Sequence, residues 1–291
     1  MLIFDAIIIT VVLITLIIAS ISDMRTREIP DWISYGLIFF VLLTRGLQTV
    51  ISKNHTYLTY SFVAFITFFA VGSLLYYTRQ WGGGDAKLIS GLMAAFATSP
   101  FNNAQQTFFP YPLVLILNIL LVGALYAIIY AAILASKNKK TFIVEFKKLN
   151  SEKRMHITKI CVLILSVLFA ILTFFYFPPD LVISGGVFSL VMLMLPYLLI
   201  FVKSVEKTSL YKTIQPSKLA EGDWVREDVY KGKKLIYKKQ PFGIDKESIE
   251  ILKKENIKKV LIKEGIPFVP SFLLGTIITL VLGKVIFFPV I

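Results

Sequence analysis

The sequence predicts an all-α polytopic membrane protein of about eight transmembrane helices, with a small cytoplasmic α+β domain inserted before the last helix. Three observations predict this. The 291-residue chain is 56% hydrophobic, with a mean hydropathy of +0.74. Charge-free apolar runs recur along it, each near the ~20 residues that a helix needs to cross the hydrocarbon. Lysine and arginine also collect in alternate loops, as they do on the cytoplasmic side of a membrane.

In order, the predicted spans are 2–22, 32–51, 58–78, 85–98, 111–135, 157–177, 181–202 and 267–288. The first has no basic residue before it and no Ala-x-Ala-like cleavage site, so it is expected to be a retained helix rather than a signal peptide. The fourth is short and is expected to be tilted or half-buried. Pro267 and Pro270 open the last, where proline is tolerated in the first turn.

The loops give an independent test of that order. Arg25 and Arg27 follow the first span, Arg79 follows the third, and Lys87 lies at the start of the fourth. Residues 137–159 and 203–263 bring the total on this side to 28 of the 31 basic residues. The other side holds only Lys53. Arg45 and Lys284 fall inside spans near their outward ends, where they are expected to snorkel to the interface. Eight spans with both termini outside satisfy this alternation, in a multi-pass plasma-membrane protein that contacts membrane lipids.

The expected division is 1–135, membrane helices with both motifs described below; 136–156, a basic cytoplasmic connector; 157–202, two further spans; 203–266, the small cytoplasmic domain; and 267–291, the last span. The domain is expected from Gly222-Asp223-Trp224-Val225, an alternating run at 234–238, a helix from Asp245 to Glu255 that starts on a capping Asp, and a second alternating run at 257–263. The net charge of +13 follows from the loops, so nucleic acid is not an expected partner. A single cysteine, Cys161, excludes an intramolecular disulfide and a Cys-cluster zinc site. The two histidines, His55 and His156, fall on opposite sides of the membrane. No metal or other cofactor is expected.

Two acids stand out. Trp81-Gly82-Gly83-Gly84-Asp85-Ala86-Lys87 places a carboxylate beside membrane-length apolar sequence, and such a group is by default functional. Asp23, at the end of the first span, lies at the same cytoplasmic boundary. Facing carboxylates tend to share one proton, so one takes a proton from water while the other polarises a carbonyl. Gly82 and Gly84 let backbone approach a substrate closely. Asp85 sits at a helix N-terminus and Asp23 near a C-terminus, so Asp23 is expected to hold the shared proton more often. Each motif alone also reads as a turn, with Asp85 as a helix N-cap and 23–28 as a solvated loop.

At these residues the chain resembles the type IV prepilin and preflagellin peptidases, membrane aspartic proteases with a Gly-x-Gly-Asp motif. Gly82-Gly83-Gly84-Asp85-Ala86-Lys87 is similar to their Gly-x-Gly-Asp-x-Lys motif, and Asp23-Met24-Arg25-Thr26-Arg27-Glu28-Ile29-Pro30-Asp31 resembles their first catalytic segment. The resemblance is strongest over residues 1–100. Glu221-Gly222-Asp223 and the run from Glu264 to Pro270 look like the C-terminal region of archaeal members. The resemblance implies Asp23 and Asp85 as the catalytic pair. It also implies pilin or archaeal flagellin precursors as substrates, cut at the cytoplasmic face between a short basic leader and an apolar segment. Asp31 matches an acidic position that the family does not use as catalytic acid; with Glu28 it is a candidate leader contact. Lys87 is expected to anchor at the interface, or to pair with lipid phosphate or Asp23. The chain lacks the paired Cys-x-x-Cys of bacterial members, so no methylase activity is expected.

Two other readings are weaker. A presenilin-like protease also uses Gly-x-Gly-Asp, but Asp23 follows Ser22 rather than Tyr, and no Pro-Ala-Leu occurs. A transporter or assembly scaffold would place its acids nearer mid-membrane.

Overall fold

The computed structural model describes residues 3–78, 80–101, 109–240 and 243–286, the side chains of Asp180 and Leu181 excepted. The expected span ends at Leu2 and Phe288, the loop residue Arg79 and most of the uncharged loop 99–110 lie outside the described residues.

The chain is a polytopic helical membrane protein. Among the described residues six helices are long and apolar enough to cross a membrane. They are α1 (Ile3–Thr26), α2 (Asp31–Ser52), α3 (Thr56–Tyr77), α5 (Tyr111–Lys137), α7 (Lys153–Tyr176) and α8 (Pro179–Val205). The fourth and eighth expected spans are shorter. They form α4 (Gly83–Ala95), of 13 residues, and α10 (Val269–Leu282), of 14. At 1.5 Å per residue each is about 20 Å long, short of the ~30 Å hydrocarbon. The expected eight spans are therefore six of full length and two short helices. α10 stops at Gly283, which is left-handed at φ +66°. In α4, Ala86 and every residue from 88 to 95 are buried, so protein rather than lipid surrounds it.

The chain divides into two compact units, residues 1–129 with 265–291, and residues 130–264. In the first, α4 is central. Leu88, Leu92 and Phe96 pack with Ile8, Val12 and Leu16 of α1, Leu37 and Val41 of α2, Ile119 of α5, and Phe272 of α10. Away from this core the helices expose large apolar side chains such as Phe39 and Leu74, as a lipid-facing surface requires.

Arg45 does not snorkel. Its side chain is 2% exposed and points inward, 2.8 Å from Asp5 of α1. It also donates to Oε1 of Gln48 at 2.7 Å and to the carbonyl of Ala95 at 2.9 Å. That carbonyl is at the last turn of α4, where no intrahelical partner remains. The guanidinium thus ties α1, α2 and α4 together at one end of the unit. The sequence-based expectation failed because it considered Arg45 without Asp5, forty residues away. Lys284 lies beyond the end of α10, and its carbonyl accepts from Asn118 of α5 at 2.9 Å.

The second unit begins with the end of α5. The expected connector is a helix, α6 (Lys139–Asn150). Phe142, Phe146 and Leu149 recur at helical spacing and pack on α8, with the Phe142 and Phe201 ring centroids 5.6 Å apart. α7 and α8 form an antiparallel pair, in which Ser166 donates to the carbonyl of Ser189 at 2.8 Å. A π-helical turn (Glu206–Leu210) leads into the soluble part.

That part is α+β. Strands β1 (Tyr211–Ile214), β2 (Trp224–Val225) and β5 (Val260–Lys263) form an antiparallel sheet in the order β1-β5-β2. β3 (Val229–Lys231) and β4 (Lys234–Tyr237) form a hairpin turned by Gly232 at φ +62°. α9 (Lys246–Lys254) is capped by Asp245, whose Oδ1 accepts from the Ser248 amide at 2.7 Å. Ile249 and Leu252 of α9 pack on Val225, Val260 and Ile262 of the sheet.

Gly222-Asp223 is a clasp within this domain. The Gly222 amide donates to the Ile244 carbonyl at 2.8 Å, and the Ile244 amide returns a bond to the Asp223 carbonyl at 3.0 Å. Oδ2 of Asp223 accepts from the Ala220 amide at 2.8 Å, and burial pushes the carboxyl up. Gly243 lies against this clasp at φ +91°, and a Cβ there would fall 2.2 Å from the Gly222 carbonyl oxygen. Gly243→Ala is therefore expected to destabilise the domain by at least about 1–2 kcal/mol from backbone strain alone. Limited proteolysis of the purified protein should then cut residues 203–266 faster in the variant; unchanged protection would contradict this.

Candidate active site

Asp23 ends up buried because of where α1 stops. Its burial follows the stripe Ile8, Val12, Leu16, Ala19, Ser20, Asp23, which faces the core. The helix then ends: Arg27 is left-handed at φ +62°, and its amide donates to the Asp23 carbonyl at 3.0 Å. Ser22 and Thr26 hydroxyls donate to the Glu28 carbonyl at 2.9 and 3.3 Å and fold the loop back over the helix end. Pro30 then starts α2.

Oδ2 of Asp23 accepts from the Val269 amide at 2.9 Å. Val269 is the first residue of α10, so this amide is one of the N-terminal donors that the helix itself leaves unpaired. Asp23 is thus at the C-terminus of one helix and against the N-terminus of another. The expectation that it holds the shared proton assumed only the first, so its premise does not survive.

Asp85 is in the first turn of α4 but is not its N-cap. Gly82 is the cap, and Asp85 is the third helical residue. Its Oδ2 accepts from the Gly82 amide at 3.1 Å, the reciprocal arm of a capping box. Asp85 lies within electrostatic reach of Asp23. Aromatic packing closes the same region: the Trp81 ring lies 6.3 Å from Phe268 and 5.9 Å from Phe272, at the start of α10.

The remaining predicted residues lie on the segments next to the two acids. A Cβ on Gly84 would be 2.9 Å from Ile29, so the glycine lets the loop after Asp23 press on the turn before Asp85. The Gly82 amide is engaged by Asp85. Lys87 pairs with Asp31 of α2 at 2.7 Å and lies 5.0 Å over the Tyr35 ring. It therefore bridges α4 to α2 rather than reaching Asp23. Glu28 contributes its carbonyl to the loop closure. The wall from α10 was not expected at the site; its only signal was the run from Glu264 to Pro270. Among the described residues no group of three His, Cys, Asp or Glu side chains converges as a metal site would require.

Comparison with known proteins bears on this region. Residues 10–131 match the model of the type IV leader peptidase family. That stretch is less than half of the chain, and over it the sequence is similar to the family. Relatives include a preflagellin peptidase of Methanocaldococcus jannaschii, 41% identical over 81 residues, which are 28% of this chain and 34% of the relative. A preflagellin peptidase of Methanococcus maripaludis is 35% identical over 79 residues, 27% of this chain and 34% of the relative. A prepilin peptidase, EppA, of Methanothermobacter thermautotrophicus is 23% identical over 137 residues, 44% of this chain and 36% of the relative. The matched parts span about a third of the length of these relatives. No solved structure is significantly similar to the chain.

Proposed function

We propose that the chain is a membrane aspartic endopeptidase. It removes a short basic leader from prepilin- or preflagellin-like precursors at the cytoplasmic face, using Asp23 and Asp85. The observation that carries this reading is that two acids, 62 positions apart in sequence, sit at the ends of two helices packed in one core, with the loop after Asp23 pressed on the turn before Asp85. The family match over the same helices supports the reaction class.

On this reading the pair shares one proton. The ionised carboxylate takes a proton from a water molecule as the water attacks the scissile carbonyl. The protonated carboxyl donates to the carbonyl oxygen, which gives a neutral tetrahedral diol. Collapse returns the diol proton to a carboxylate and passes another to the leaving nitrogen, so both acids end as they began. No covalent enzyme intermediate forms.

Glu28 and Asp31 place acids beside the site, where a basic leader would lie, although Asp31 shares its charge with Lys87. Asp31 is largely exposed, so its effect is modest. Asp31→Asn is expected to raise KM for a precursor by up to about fivefold, with kcat unchanged and the difference shrinking at high salt. A changed kcat with an unchanged KM would contradict this role.

The function is tested by mixing the purified protein in detergent with a precursor bearing a basic leader and measuring product mass. The parent is expected to shorten the precursor, and Asp23→Asn and Asp85→Asn are expected to leave it intact while keeping parental helicity. Cleavage retained by either variant overturns the proposal.

A further inference from the structure

A groove of about 260 Å³ runs between α1 and α2. Val11, Thr15 and Ile18 line it from α1, and Trp32, Gly36 and Phe40 from α2. Its walls are apolar apart from Thr15. The two helices are antiparallel and joined by the loop after Asp23, so Ile18 and Trp32 form one end and Val11 and Phe40 the other. Trp32 to Phe40 spans about 12 Å along α2.

The end formed by Ile18 and Trp32 lies towards the loop that joins the two helices after Asp23. Trp32 follows Asp31 directly, and its side chain is largely exposed. Ile18 lies about 8 Å along α1 from Asp23. The stripe Val11, Thr15, Ile18 continues to Ser22, whose hydroxyl holds the loop at Glu28. Along α2 the chain passes from Asp31, an acid paired with Lys87, directly to the apolar Trp32.

Gly36 is at the centre of the α2 wall. A Cβ there would meet nothing within 4 Å. Among the described residues no neighbour fills the space beside the glycine.

We infer that the groove seats the start of the precursor's apolar helix, immediately after the cleaved bond, and that Gly36 gives this helix its room. This rests on the proposed peptidase activity. The match is one of order: a basic leader followed by an apolar helix meets acids followed by an apolar groove. Small residues let transmembrane helices approach closely, and Gly36 is the only glycine in the groove's wall.

The test uses the full chain with Cys161, the single free cysteine, changed to Ser. Gly36→Cys is treated with a short bis-maleimide alongside precursors carrying single cysteines along the apolar helix. Leu74→Cys, on the exposed face of α3, is the control. Crosslinks from position 36 that recur every three or four precursor positions, absent from position 74, are expected. Separately, Gly36→Leu fills the groove and should raise KM about tenfold, a cost of about 1.4 kcal/mol in binding, with kcat unchanged. No crosslink from position 36, or equal crosslinking from both positions, while the Cys161→Ser parent still cleaves, shows that only acyl chains occupy the groove and overturns the inference. If that parent does not cleave at all, the proposed activity has failed, and the groove's role falls with it.

Discussion

Asp85→Asn is expected to lower kcat for precursor cleavage by about 10²–10⁴-fold, the usual contribution of one acid–base group. The amide is nearly isosteric with the carboxylate. Its oxygen still accepts from the Gly82 amide, so the start of α4 should persist. What it loses is the ability to take up and release a proton. Asp23→Asn should behave alike, because the amide oxygen can still accept from Val269. KM should change little in either variant, since neither group is proposed to bind the precursor more tightly in the ground state than in the transition state. Single-turnover assays in detergent check both values. A variant that loses activity only because KM rises would point to a binding role instead.

Arg45→Met is expected to produce the largest loss of stability. Removing the guanidinium leaves the Asp5 carboxylate buried without its partner and frees the Ala95 carbonyl. Breaking a buried pair from one side costs about 3–5 kcal/mol. The methionine stem replaces most of the apolar volume, so the loss should come from the stranded charge. Asp5→Asn in the same chain should then recover a substantial part of the melting temperature. Thermal unfolding in detergent measures this. An unchanged melting temperature in Arg45→Met would show that water or lipid headgroups satisfy Asp5.

The physical origin of what could be read in advance is uneven. The long apolar helices follow from hydropathy and length alone, and α9 follows from a capping Asp and its apolar spacing. Asp23 and Asp85 were visible because a carboxylate beside an apolar run needs a reason. Short helices were harder. A 13-residue apolar run reads the same whether lipid or protein surrounds it, and only packing shows that α4 is a core helix. α6 was missed because its lysines outweighed the three apolar residues at helical spacing. Long-range partners were not legible at all. Arg45 finds Asp5 forty residues away, and Asp23 finds the Val269 amide 246 residues away. Local pattern cannot supply either contact, and the second one changed the electrostatic setting of a proposed catalytic group.

The central claim is that Asp23 and Asp85 act as one unit. Groups that share a step are non-additive: removing the second costs almost nothing once the first has gone. The direct measurement is the single-turnover cleavage rate of Asp23→Asn, Asp85→Asn and the double variant, each checked for parental helicity. The expected result is three rates that agree within a few-fold, all far below the parent. Losses that multiply in the double variant, or one single variant close to the parental rate, would contradict it.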